Sequence, residues 1–432
     1  MSLTRRDALR GGAAALAAAI VPRSGICAAT GAGRRYFSPH PFIEQNPKAV
    51  FIRRTHAAHK MDAEAKRREG LRLAQAIFVA RDDAGVPITH RVILKPNATS
   101  VASRTRKPEE LWGTGTDPQF YEGLVLGLQQ LGVSRFHFID STSYADWNIR
   151  GLLDINDRLG VVTEDPERRM KHLREGWKTN WSTVPDGVVF RRIPHYAPVN
   201  EPGTWLLNVA KWKAHSMGLT QTVKNEQGLV AHPFTNFCGG WRAVLGVSGD
   251  VKPDINPRAE TLVNSFFERH RKLGYSRYDS RGSSGNGAHL LPIDQEIWAH
   301  KTCDNMSTLT TGLAIIEGIC GRDGDGFYVG DDYLANIVFF GKDKFRVDVI
   351  GLWLAGHEPG NVNLYRIAKE RGLSDTFNPW EIPLYEWTDN GPAARKLSDF
   401  PRTPLKTPYL PREGEASLHL LDEPFDYDRH KV

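Results

Sequence analysis

Between Trp205 and Val230 the chain reads WLLNVAKWKAHSMGLTQTVKNEQGLV, and it gathers Lys211, Lys213, His215 and Lys224 in one short stretch. Histidine titrates near neutral pH, and a desolvated lysine is pushed toward it, so this set suits general acid–base work. The same cations, with amides beside them, bind a carboxylate, sulfate or phosphate. Residues of matching type stand far off in sequence: Lys95 and Asn97, Asp140, Asn225, Glu317 and Asp323. We take the first four as catalytic candidates and the second six as substrate- or cofactor-binding candidates. The plainer alternative is a solvated basic loop with a structural ion-pair network, since lysines are mostly surface residues.

Each member follows an apolar run of the kind a buried strand gives. Trp205-Leu206-Leu207 and Val209 precede the lysines, and Val92-Ile93-Leu94 precedes Lys95-Pro96-Asn97. Phe136 to Ile139 precedes Asp140, and Leu313 to Ile316 precedes Glu317. Helical spacing lies between the runs, at Ala63–Ala80, Asp117–Leu131 and Arg150–Leu159. Alternation of this kind predicts an α/β fold, a mostly parallel open sheet flanked by helices. Ligands of such sheets sit beyond the carboxyl ends of the strands. The expected layout is one domain over 30–377, an inserted subdomain near 250–304, and a wrapping tail over 378–432.

Metal-ligand spacing is absent. His215 and His232, with Asp140 or Glu317, are the metal candidates, but no HExxH or Cys/His finger pattern supports them. His300 and Cys303 form an isolated HxxC. Asp323-Gly-Asp325-Gly lacks the remaining ligands of a calcium loop and reads as a glycine turn presenting Asp323 or Glu317 to the site. Trp112, Trp177, Trp181 and Trp212 lie in or beside expected loops. They offer sugar-stacking faces, although tryptophan more often packs in a core.

The N-terminus carries Arg5-Arg6 before the small apolar run Gly11–Ile20, the pattern of a twin-arginine export signal. Its expected partner is the twin-arginine export machinery, with cleavage after Ala29 and a periplasmic or secreted product. Residues 1–29 hold Arg5, Arg6, Arg10, Arg23 and Asp7, a net +3, so the formal +6 of the whole chain falls to +3 on removal. That charge gives no support to nucleic-acid binding. No later apolar stretch reaches the roughly 18 residues of a membrane span. Cys238, Cys303 and Cys320 remain after cleavage, an odd number.

The central block resembles the signature of the domain of unknown function 362 family. The matching residues are Lys211-Trp-Lys213-Ala-His215, Gly218-Leu-Thr220 and Val223-Lys224-Asn225 with Gly228. Ile93–Asn97, Ile139–Ser141 and Glu317–Gly326 agree with it in order. The resemblance runs from about Val92 to Leu373 and implies a fold and a site, not a reaction. Relatives with ferredoxin-like motifs carry CxxC clusters; this chain has none, so no iron–sulfur cluster is expected, and the cofactor is unknown. The expected function is an exported enzyme acting on a small anionic molecule or acidic sugar by Lys/His acid–base chemistry of an isomerase or lyase kind. The alternative is a non-catalytic periplasmic protein that binds an anion, a cofactor or a glycan.

Overall fold

The computed structural model describes residues 35–99, 112–164, 179–231, 256–272, 292–327, 329–409 and 418–430. The export signal, Arg104, Arg106, Lys107, Trp177, His232, Cys238 and residues 250–255 and 273–291 of the expected insertion lie outside them.

The strands, in chain order, are β1 (Tyr36–Pro39), β2 (Val50–Arg54), β3 (Phe78–Arg81), β4 (Val86–Pro87), β5 (Arg91–Pro96), β6 (Phe136–Phe138), β7 (Val162–Thr163) and β8 (Thr179–Thr183). They continue with β9 (Arg192–Tyr196), β10 (Thr204–His215), β11 (Gly218–Thr220), β12 (Leu313–Arg322), β13 (Asp332–Gly341), β14 (Leu384–Thr388) and β15 (Gly391–Arg395). Ten of them form one sheet in the order β15-β14-β2-β13-β12-β10-β5-β6-β7, with β11 hairpinned onto the end of β10. The run from β12 to β7 is parallel throughout. β13 is antiparallel to both its neighbours, and β14 returns parallel to β2. The fold is thus α/β with a mostly parallel sheet, as the alternation of patterns predicts. Residues beyond 378 do more than wrap the domain: β14 and β15 extend the sheet itself.

Two-residue periodicity sorts the side chains onto two faces. Leu94, Leu207, Val209, Ile315 and Phe340 face one core with Leu73, Leu124 and Leu128 of the helices Ala63–Ile77 and Pro118–Gln130. Ile93, Leu206, Trp212, Ile316 and Phe339 face the other, with Val347, Ile350 and Leu354 of the helix Lys344–Leu354. The first helix pair crosses backbone to backbone at Gly70 and Gly123. A Cβ on Gly123 would lie 2.1 Å from the Arg67 carbonyl oxygen, so no larger residue fits there. The helix Pro118–Gln130 starts where its sequence says it should, on Asp117, whose carboxylate accepts from Gln119 N and Phe120 N.

The largest departure from the sequence reading is the length of β10. The apolar run Trp205–Val209 suggests a short strand with the lysines in the loop beyond it. Instead β10 is 12 residues long and carries Lys211, Lys213 and His215 inside the sheet. It can do so because β12 flanks it as far as Lys213 and β11 continues the pairing to His215. The polar residues alternate with Ala210, Trp212 and Ala214, so each has an apolar neighbour facing the opposite core.

The C-terminal segment is fastened by a buried histidine. His357 Nε2 donates to the Leu405 carbonyl, and His357 Nδ1 accepts from Leu421 N. Burial lowers its pKa from 6.5 to about 4. A histidine lowered in the folded state stabilises fully above its unfolded pKa, and that contribution is lost as pH falls from about 6.5 to about 4, worth roughly 3 kcal/mol. Asp348, raised by burial to about 7, acts in the opposite sense over part of this window. The difference between variants therefore isolates His357. Wild type should exceed His357→Gln in urea midpoint at pH 7, with the gap closing by pH 4.5. A gap that stays constant over this range would exclude the linkage.

Candidate functional site

At the carboxyl ends of β5, β10 and β12 the candidate residues separate into three groups with different chemistry. Asn208 and Lys95 face the core of the helix Lys344–Leu354. Lys95 Nζ donates to Asp140 Oδ2 at 2.6 Å, to the Pro96 carbonyl at 2.8 Å and to Asn225 Oδ1 at 3.1 Å. Asn225 in turn donates to the Lys95 carbonyl and to Asn208 Oδ1, both at 2.8 Å. Asn208 donates to Glu226 Oε1, and Glu226 Oε2 accepts from Lys344 Nζ at 2.7 Å. Burial holds Lys95 below its ordinary pKa despite Asp140. Gly228 makes room for this ammonium: a Cβ there would sit 2.7 Å from Lys95 Cε.

On the opposite face Lys211 and Glu317 form a closed ion pair. Their side chains are fully buried, with Nζ to Oε2 at 2.6 Å. Glu317 also accepts from Asp117 N at 3.1 Å and from Ile319 N at 2.9 Å. Burial alone would lower the Lys211 pKa, but the adjacent Glu317 carboxylate outweighs it and holds the ammonium above its ordinary value. A lysine so paired is a poor proton acceptor. Lys211, one of the four catalytic candidates, is held in this closed ion pair, which suits a structural role.

Lys213 and His215 are placed differently. Lys213 Nζ donates to Thr99 Oγ1 at 2.8 Å and to the carbonyls of Thr114 and Gly326 at 2.6 and 2.8 Å. None of these partners is a carboxylate. Three neutral acceptors favour the ammonium, but full burial costs more than they return, as does the field of Lys224, Arg150 and Arg322. The Lys213 pKa consequently falls well below its ordinary value. Arg150 crowds the same point. It donates to the Thr99 carbonyl and to Thr114 Oγ1, and burial lowers it to about 10. Arg322 stands opposite Lys213 in the β10–β12 register and binds Asp332 through Nη1 at 2.7 Å, while its Nε is buried without a partner.

His215 is 3 % exposed and caps β10. Its Nδ1 accepts from Met217 N at 3.2 Å. A backbone amide can only donate, so Nδ1 carries no proton and the neutral ring carries it on Nε2. That Nε2 is buried and has no hydrogen-bond partner among the described residues. Burial, then the charges of Lys224 and Lys213, push the His215 pKa well below its ordinary value, which keeps the ring neutral. The ring is clamped: a Cβ on Gly326 would lie 3.0 Å from its Cδ2, and the Phe327 ring meets it edge-on at 5.2 Å. Gly218, at φ +93°, closes the turn into β11. Thr407 Oγ1, from the C-terminal segment, reaches the His215 carbonyl at 2.6 Å.

Lys224 is half-buried and sits on the helix Thr222–Asn225, whose first amides are held by Asp348. Asn97 bridges the two faces, accepting from Thr99 Oγ1 and donating to Asn225. Asp323 is not part of this convergence. Its carboxylate accepts from Asp331 N and Tyr333 OH, which makes it the anchor of the glycine turn. Trp212 packs in the core with its Nε1 on the Gly351 carbonyl. Arg150, Arg322, Thr99 and Thr407, which the structure places against the candidate residues, were not among the sequence candidates, because each lies in a segment whose pattern signals only a helix start, a strand end or a loop. No group of three His, Cys, Asp or Glu side chains placed to hold a metal occurs among the described residues, and His232 lies outside them.

The family model for the domain of unknown function DUF362 matches residues 92–353, from β5 to the end of the helix Lys344–Leu354. Lys95 through Asp348 all fall inside it; β2, β14, β15 and Thr407 fall outside. No curated protein and no solved structure matches the chain.

Removing one partner of a buried pair strands the other charge and costs about 3–5 kcal/mol. Lys211→Ala should therefore lower the denaturation midpoint strongly, and Lys211→Met combined with Glu317→Leu should recover most of it. Recovery by the double variant is the decisive reading. If it folds normally yet loses all function while Lys213→Met keeps it, the structural assignment of Lys211 is wrong.

Proposed function

The chain belongs to the DUF362 family, and we propose that it is an exported enzyme that moves a proton on a small anionic substrate at the end of β10. The observation that carries this reading is the buried, unpartnered Nε2–H of His215 beside a lysine with no carboxylate among its contacts. A buried donor left unsatisfied costs stability, so a fold that keeps one has a use for it. The cationic side chains of Lys224 and Arg150, whose fields reach Lys213, support an anionic occupant.

The division of labour follows from the two lowered pKa values. Lys213, depressed well below its ordinary range, supplies an amine that accepts a proton from a carbon next to the anionic group. The C–H electron pair passes into the adjacent carbonyl, and the new oxyanion is met by the surrounding positive groups and the His215 donor. Return of the proton from the Lys213 ammonium to the other carbon of the enediolate completes an isomerisation, while loss of a β-substituent completes an elimination. Lys95 and Lys211, each neutralised by a carboxylate, hold the strand ends in place. Export through the twin-arginine route is supported by Arg5-Arg6 and the apolar run after them.

The test is solvent exchange. Protein recovered from its own host is incubated in D2O with a panel of hydroxy acids, oxo acids and uronates. Wild type should wash deuterium into at least one of them; Lys213→Met should lose about 10²–10⁴-fold in exchange rate. Binding without exchange in every case would leave an anion-binding protein in place of an enzyme. A reporter fused to residues 1–40 tests export: Arg5→Lys with Arg6→Lys should retain it in the cytoplasm.

A further inference from the structure

The fixed tautomer of His215 says more about the ligand than its charge does. Met217 N–H pins Nδ1 as an acceptor, so Nε2 presents a proton and no lone pair. A metal ion or a protonated ligand nitrogen would need that lone pair. An oxygen acceptor needs only the proton. The ring is held neutral by burial and by the charges of Lys224 and Lys213. A neutral donor is suited to a neutral or developing oxygen, whereas full negative charge on the ligand is drawn to the cations beside it.

Two kinds of recognition are therefore built side by side at the end of β10. Arg150, and Lys224 through its field, supply positive charge beside Lys213, and Arg322, paired with Asp332, keeps a second buried donor, Nε, with no partner among the described residues. His215 supplies one directed, uncharged hydrogen bond. From this we infer that the ligand is a carboxylate carrying a second oxygen on the neighbouring carbon, a 2-hydroxy or 2-oxo acid or a uronic acid, with the second oxygen on His215 Nε2. The inference rests on the anion-site reading above and narrows it. It also removes His215 from the metal candidates. Thr407 belongs to the same arrangement as a positioning residue: its hydroxyl fixes the carbonyls of His215 and Gly218, and with them the hairpin that aims the ring.

The experiment pairs a tautomer measurement with a ligand series on the full chain. In protein labelled with 15N-histidine, assigned through His215→Gln, the ring nitrogen shifts at pH 7 should show Nε2 protonated and Nδ1 bare. Titration then compares propionate with lactate and pyruvate, and these with inorganic phosphate. Wild type should bind lactate or pyruvate about tenfold more tightly than propionate. His215→Phe should keep the propionate affinity and lose the preference. Thr407→Val should weaken the preference while leaving propionate binding unchanged. Equal affinity for propionate and lactate in wild type, or a proton found on Nδ1, overturns the inference while leaving an anion site standing. Tighter binding of phosphate than of any carboxylate overturns it as well. Failure of every anion to bind removes the anion site itself and the inference with it.

Discussion

The structure turns on the need to match every charge that β10 carries into the interior. A buried ionised group without a partner is among the most expensive features a fold can hold. Along β10 the matching is complete at first and then stops. Asn208 is hydrogen-bonded to Glu226, Thr222 and Asn225, and Lys211 is paired with Glu317. Lys213 meets only neutral acceptors, and His215 Nε2 meets nothing. Within five residues the strand passes from an ion-paired lysine to the candidate site, where Lys213 has no carboxylate partner and His215 Nε2 no partner among the described residues.

What surrounds the boundary holds it open. Gly228 leaves space for the Lys95 ammonium, so the β5 end closes on Asp140 and Asn225 without intruding on Lys213. Asp348 gathers Thr222 N, Thr222 Oγ1 and Val223 N, which fixes the short helix that carries Lys224 and Asn225. The C-terminal segment, held by His357, delivers Thr407 to the His215 hairpin. Elements distant in sequence are thus tied to one strand end by hydrogen bonds to backbone atoms, which resist displacement better than side-chain contacts alone.

The same arrangement separates two functions that look alike in a list of residue types. Lys95, Lys211 and Lys213 all follow apolar strand residues, yet Lys95 and Lys211 are ion-paired while Lys213 meets neutral acceptors. The tautomer of His215 is set by the Met217 amide two residues on, with Ser216 Oγ 3.3 Å from the same Nδ1 and able to donate to it. Neither property is carried by the identity of the side chain.

Much was determined by the sequence itself. Apolar runs ending in Lys95, Asp140, Lys211 and Glu317 specified strands and their polar ends, because periodicity and burial are local properties. The helix start at Asp117 was equally local, since a cap acts over three residues. The sequence also named the block around β10, and the family model agrees with that block. Only the tertiary structure decided how far β10 extends, because pairing with β11 and β12 keeps its polar end in the sheet. It alone divided the lysines between the two faces and gave Asp140 to Lys95 and Glu317 to Lys211. It alone placed Arg150, Arg322 and Thr407 at the site and Asp323 in a turn. The physical reason is the same in each case: the free energy of a buried charge depends on what lies within a few ångströms, and for Glu317 those neighbours include the Asp117 amide, 200 residues away along the chain.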